Sequence, residues 1–163
     1  MQSIIAVYVE NKYGVLTRVS GLFMRKGFNI DSLTVGETDD PKFSRMTITL
    51  NGDDYAREQL INQLKKLHNV KQVKLLKQNS SVERELMLVK VKNTPENRNE
   101  IMAAADIYRA KIIDYTTDTM CVEVTGEPNK IDAFIKVMEP LGIIEMCRTG
   151  VVALERGSSI MEK

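Results

Sequence analysis

The chain has 163 residues, of which 43% are hydrophobic and 28% charged. That is enough apolar material for one domain or two small ones, and it excludes a disordered polypeptide. Lysine plus arginine number 23 against 22 for aspartate plus glutamate, a net charge of +1, which argues against a nucleic-acid binder held by backbone charge and against a polybasic membrane anchor.

Ile4 to Val9 is a β-rich run that ends in the turn Asn11-Lys-Tyr-Gly14 and reads as a strand. Val15, Val19, Leu22 and Phe23 then recur at helical spacing, and Gly27 follows as a helix terminator. A second strand is expected from Asn29-Ile30 to about Thr38, with a turn at Asp39-Asp-Pro-Lys42. Arg45 to Leu50 alternates strictly, with Met46, Ile48 and Leu50 on one face and Arg45, Thr47 and Thr49 on the other. This predicts a strand with one buried face. Asn51-Gly-Asp-Asp can cap a helix whose apolar stripe is Ala56, Leu60, Ile61, Leu64 and Leu67. Val70 to Leu76 closes the unit as a fourth strand.

Gln78-Asn-Ser-Ser81 is short, polar and uncharged, and reads as a linker. The same pattern then returns. Glu85 to Val91 is a strand, and Thr94-Pro95 opens a helix with Thr94 as cap and Pro95 at its first position. Lys111 to Thr116 and Met120 to Thr125 are two strands. Glu127-Pro-Asn begins a helix lined by Ile131, Phe134, Ile135 and Met138, which Pro140 and Gly142 are expected to stop. Ile143 to Cys147 is a further strand, and Val151 to Leu154 is expected to extend this second sheet.

The pattern is α+β: two ferredoxin-like βαββαβ units, at 1–77 and 82–163, joined by 78–81. Both helices of each unit should lie on one sheet face, leaving the other solvated or covered by a partner. Units this small bury only ~60% of their unfolded surface, so dimerisation is expected on stability grounds. Up to Gln78 there are 12 basic and 8 acidic residues, and beyond it 11 and 14, a composition shift too slight to make a strong field.

Catalytic signatures are missing. There is no Walker lysine motif, no G-x-S-x-G and no H-E-x-x-H. The single histidine, His68, follows a lysine-rich helix and is expected to be solvated. Cys121 and Cys147 sit among apolar residues and are expected to be reduced core or near-core thiols. No metal-ligand spacing is present. No basic region precedes a long apolar run at the N-terminus, and no stretch approaches the ~20 apolar residues that span a bilayer. A cytoplasmic binding or regulatory protein is expected.

The segment Asn11 to Arg18 joins the first strand to the first helix. A helix start carries unpaired N–H groups and the positive end of the helix dipole, which suits a carboxylate. Gly14 lets a ligand approach the backbone, and Asn11 can donate and accept. A zwitterionic amino acid needs that combination. Spacing alone also fits residues that merely shape turns, at Asn11, Gly14 and Asn29 alike.

Three runs taken together are more specific: Asn11-x-x-Gly14-Val-Leu-x-Arg18-Val-x-Gly21-Leu-Phe, Gly27-Phe-Asn-Ile-Asp-Ser-Leu-Thr-Val35 and Ser44-Arg-Met-Thr-Ile48. They closely resemble the regulatory small subunit of acetohydroxyacid (acetolactate) synthase, and the first unit resembles an ACT domain. The likeness continues through Arg84 to Val91 and Arg148 to Gly157.

The resemblance implies a subunit without an active site that binds the catalytic large subunit, raises its activity and confers feedback inhibition by valine or a related branched-chain amino acid. Thiamine diphosphate, magnesium and FAD would belong to the catalytic partner, with none in this chain. The implied effector site comprises Asn11, Gly14, Val15 and Leu16 of one chain and Asn29 and Ile30 of its mate in a homodimer. Side-by-side pairing of the second strands would bring these together. Arg109-Ala-Lys stands where many relatives have a glycine, and Tyr13 fills a variable position that bears on access. A stand-alone amino-acid sensor of another enzyme or of transcription is the alternative. An acylphosphatase-like enzyme fits poorly, because Arg18 falls inside the helix and the loop is not a glycine-rich cradle.

Overall fold

The computed structural model describes residues 2–161. Met1 and the last two residues, at the ends of the expected 1–77 and 82–163 segments, lie outside the described residues. The chain divides into two compact units, one formed by the segment up to Val82 together with the tail from Val151, the other by Glu83–Gly150.

In the first unit the order is β1 (Gln2–Glu10), α1 (Val15–Arg25), β2 (Ile30–Glu37), β3 (Phe43–Asn51), α2 (Asp54–Leu64) and β4 (Val70–Leu76). The sheet runs β2-β3-β1-β4, and each neighbouring pair is antiparallel. β2 is therefore an edge strand, as expected. Because β1 and β2 both oppose β3, they run in the same direction. Ile5, Val7 and Val9 of β1 and Met46, Ile48 and Leu50 of β3 pack against Val15, Val19, Leu22 and Phe23 of α1 and Leu60 and Leu64 of α2. Phe23 is 1% exposed, a burial that stabilises by about 1.5–3 kcal/mol. Asp53 caps α2 by accepting from the Ala56 N–H at 2.7 Å.

α1 ends as Gly27 predicts. The Gly27 N–H donates to Met24 O and the Phe28 N–H to Phe23 O, at 3.1 and 3.0 Å, with Gly27 at φ +73°. This is a Schellman ending.

One expectation fails in an informative way. Thr47 and Thr49, on the face opposite the helices, are also buried, at 4% and 1% exposed. The tail covers that face. Val151 and Ala153 join Ile4, Ala6 and Leu76 in a separate apolar cluster, with Met161 packed against it. The Arg45 guanidinium donates to Ala153 O at 2.9 Å, and Lys74 pairs with Glu155. Val151 to Leu154 was expected to extend the second sheet within an 82–163 domain. It does so: β9 (Val152–Glu155) pairs with β5 (Ser81–Lys92) of the second sheet, while by packing the tail from Val151 groups with the compact unit that runs up to Val82. Gln78–Ser80 forms a 3-10 turn.

The second unit contains β5 (Ser81–Lys92, which begins before the division), α3 (Arg98–Ile107), β6 (Lys111–Tyr115), β7 (Thr119–Gly126), α4 (Pro128–Gly142) and β8 (Ile143–Arg148). Its strand order is β6-β7-β5-β8. Met87, Val89 and Val91 meet Ile101, Ala104, Ile131, Phe134 and Met138 in the core. Arg148 grips the nearly buried Glu85 through Nε and Nη2 at 2.6 and 2.8 Å. The plait is thus written twice.

Three local expectations need correction. α3 begins at Arg98, not Pro95. Thr94 and Asn97 bond each other reciprocally, the Thr94 N–H to Asn97 Oδ1 at 2.8 Å and the Asn97 N–H to Thr94 Oγ1 at 3.3 Å. They close a turn ahead of the helix. Pro140 does not stop α4, which runs on to Gly142 with Leu141 buried in the core. Cys147 is exposed and Cys121 half-buried; both are free thiols. His68 is exposed, as expected.

Candidate functional site

The loop between β1 and α1 is held from several sides. The Asn11 N–H donates to Lys42 O at 2.7 Å, and the Asn11 side chain donates from Nδ2 to Glu37 Oε1 at 3.1 Å and to Pro41 O at 3.0 Å. Both acceptors lack a proton to give, so the amide nitrogen must face them. The oxygen is the part of Asn11 left to offer a ligand.

Just before the loop, Glu10 pairs with Lys12 and Lys71 at 3.1 and 2.9 Å and accepts from Asn69 Nδ2 at 2.7 Å. Hydrogen bonds from Lys71, Asn69 and Lys12 hold its carboxyl down at about 2. Asn69 in turn accepts from Arg18 Nη1 at 2.8 Å. Arg18 is thereby tied to the end of the sheet, a role that spacing did not reveal.

Gly14 precedes α1 at φ +79°, a conformation that glycine adopts freely. A Cβ built there would meet nothing within 4 Å. Among the described residues no side chain caps α1, and its first turn holds no acidic residue. The Val15 N–H makes only a long bond, to Lys12 O at 3.4 Å, and the N–H groups that follow it in this turn are open to an external acceptor. Val15 is buried in the core while Leu16 is 44% exposed beside Tyr13, which is fully exposed.

Asn29 and Ile30 stand elsewhere. Asn29 is exposed at the entry to β2, and Ile30 is half-buried against the first core. β2 is 8 residues long, so at ~3.3 Å per residue Asn29 lies roughly 25 Å from Glu37 along the strand. Since β1 and β2 run the same way, Asn29 is at the opposite end of the sheet from Asn11 and Gly14. One chain brings Asn11, Gly14, Val15 and Leu16 together but does not bring Asn29 or Ile30 to them. A separate hollow of about 290 Å³ opens between Arg45, Leu76 and the tail residues Leu154, Glu155, Ile160 and Met161. None of the six predicted residues lines it.

Among the described residues no helix is long and apolar enough to cross a membrane, and no three His, Cys, Asp or Glu side chains are placed to share a metal ion.

A βαββαβ plait with glycine before an uncapped first helix and β2 at the sheet edge is the architecture of an ACT-type module. Residues 5–72 match the family model for the small-subunit-like ACT domain of acetohydroxyacid synthase, and residues 84–157 match that for the small subunit of acetolactate synthase. The chain is 52% identical over 158 residues to a probable acetolactate synthase small subunit of Archaeoglobus fulgidus, covering 97% of this chain and 99% of the relative. It is 45% identical over 162 residues to the acetolactate synthase isozyme 3 small subunit of Escherichia coli, covering 99% of both. The crystal structure of the acetolactate synthase small subunit from Thermotoga maritima superposes with a TM-score of 0.90 at 38% identity, covering 98% of this chain and 99% of that one. The chain belongs to the family of acetolactate synthase small subunits.

Proposed function

We propose that this chain is the regulatory subunit of an acetolactate synthase, acting in the cytoplasm. It binds the catalytic large subunit, raises its activity, and makes it sensitive to feedback inhibition by valine or a related branched-chain amino acid. Pyruvate condensation, with thiamine diphosphate, magnesium and FAD, belongs to the catalytic partner.

The observation that carries the effector reading is the uncapped start of α1 behind Gly14, lying at the same end of the sheet as the C-terminal end of edge strand β2. Antiparallel pairing of β2 with β2 of a second copy would send the partner's Asn29 to that end. Backbone N–H groups of Val15 and Leu16 would receive the carboxylate. Asn11 Oδ1 and the partner's Asn29 would orient the ligand, with Ile30 contributing to the apolar wall. The effector would shift the dimer toward an arrangement in which the catalytic subunit is less active, which requires different affinities for two states. Coupling of ~1–3 kcal/mol, a 5–150-fold effect, is the ordinary range.

The test is co-purification with the catalytic subunit, followed by pyruvate condensation with and without valine. The expected result is a stable complex, higher activity than the large subunit alone, and loss of that gain on adding valine. Absence of a complex, or activity indifferent to valine, would contradict the proposal.

A further inference from the structure

The effector reading leaves the ligand's ammonium with neutral amide oxygens alone. The chain holds a better partner. Glu37 ends β2, and its Oε1 accepts from Asn11 Nδ2 at 3.1 Å, so it stands against the loop that leads to Gly14. In the β2–β3 register Glu37 lies opposite Ser44, two positions from the Val35–Met46 pair. Met46 points into the core beneath the helices, so Glu37 shares the sheet face that carries α1. Among the described residues Glu37 has no ion-pair partner: Lys12 and Lys71 are both engaged by Glu10, Arg18 donates to Asn69, and Lys42, whose carbonyl accepts from the Asn11 N–H, makes no ion pair with Glu37.

The antiparallel strand pairing described above brings the partner's Asn29 to this same end of the sheet. One end of the groove is then electropositive, from the start of α1, and the other carries a carboxylate that makes no ion pair. That polarity matches an α-amino acid in its zwitterionic form and disfavours the same carbon skeleton without its nitrogen. We propose that Glu37 is the ammonium-binding, specificity-determining residue of the effector site. The inference rests on the effector reading given under Proposed function.

The experiment is calorimetry on the full chain with two probes, L-valine and 3-methylbutanoate, the latter being valine without its amino group. Glu37→Gln keeps an oxygen to accept from Asn11 and removes only the charge. The expected result is a fall in valine affinity of about 10- to 100-fold, the scale of a hydrogen bond to a charged group, with 3-methylbutanoate affinity unchanged, so that the preference for valine collapses. Unchanged valine affinity in Glu37→Gln, with binding abolished in Gly14→Asp, would overturn the role of Glu37 and leave the site standing. An equal loss for both probes would also overturn it, making Glu37 only a prop for Asn11. If valine fails to bind the unaltered chain, or binds Gly14→Asp as well, the site itself is wrong and Glu37 falls with it.

Discussion

Arg45 donates from its guanidinium to the carbonyl of Ala153, 108 positions later in the chain, at 2.9 Å. That bond fastens the tail across the outer face of the first sheet. With Val151 and Ala153 packed on Ile4, Ala6 and Leu76, the tail completes the first unit. Val151→Asp would put an unpaired charge in that cluster at a cost of about 2–4 kcal/mol. Amide hydrogen exchange should quicken in β1 and β4 and stay slow in β6 and β7. Unaltered protection of β1 and β4 would contradict the tail's role.

The two units end their first helices with the same motif and different residues. In the second unit the Arg109 N–H donates to Asp106 O at 3.1 Å and the Ala110 N–H to Ala105 O at 2.8 Å, repeating the bonds around Gly27. Arg109 sits at φ +53°, the one non-glycine residue with positive φ among those described. A side chain there is strained by ~1–2 kcal/mol, partly recovered in glycine's higher unfolded-state entropy. Arg109→Gly is expected to raise stability by about 1 kcal/mol, read as a higher urea midpoint for the second unit. A lower midpoint would show that the Arg109 side chain contributes more than its backbone costs.

Glu10 predicts an acid response. Its folded value of about 2 lies below the ordinary carboxylate value of 4.5. The stabilisation is therefore fully present above that ordinary value and is lost as pH falls toward about 2. Glu10→Gln removes it at all pH values. Unfolding curves from pH 7 to 2 should show the variant less stable at neutral pH and the two proteins converging at the acid end. A gap that stays constant across that range would refute the ion cluster as its source.

Much of this architecture can be read from local signals. The i, i+3, i+4 apolar spacing of Val15, Val19, Leu22 and Phe23 marks α1, Gly27 marks its end, and strict alternation marks β3. What escapes is non-local. Thr47 and Thr49 read as solvent-facing because nothing near them in sequence shows that the tail returns over them. Val151 to Leu154 reads as a strand of the second sheet, which it joins, but nothing local shows that Val151 and Ala153 also pack on Ile4, Ala6 and Leu76. Thr94 and Asn97 trade hydrogen bonds and delay a helix that Thr-Pro spacing starts earlier. At the site, Asn11 and Gly14 are visible as a turn. The Asn11–Glu37 bond spans 26 positions and leaves no local trace, and the Arg18–Asn69–Glu10 chain is hidden for the same reason.

Gly14→Asp puts bulk and negative charge where the ligand carboxylate is expected, at a position with open space around it and a φ that Asp tolerates better than most residues. The variant should fold, should still activate the catalytic subunit, and should lose valine inhibition. Enzyme assays of the reconstituted complex check both halves. Retained inhibition would contradict the placement.

The central claim, that each effector site is shared between two chains, is tested most directly by hybrid dimers. Gly14→Asp and Asn29→Ala are each expected to abolish or strongly weaken valine binding in their own homodimers. In a hybrid of the two, one site combines both lesions and the other combines the intact Gly14 of one chain with the intact Asn29 of its mate. Calorimetry on purified hybrids should therefore recover one site per dimer at the unaltered affinity. A hybrid as unresponsive to valine as its parents would place both residues' contributions within a single chain and contradict the account.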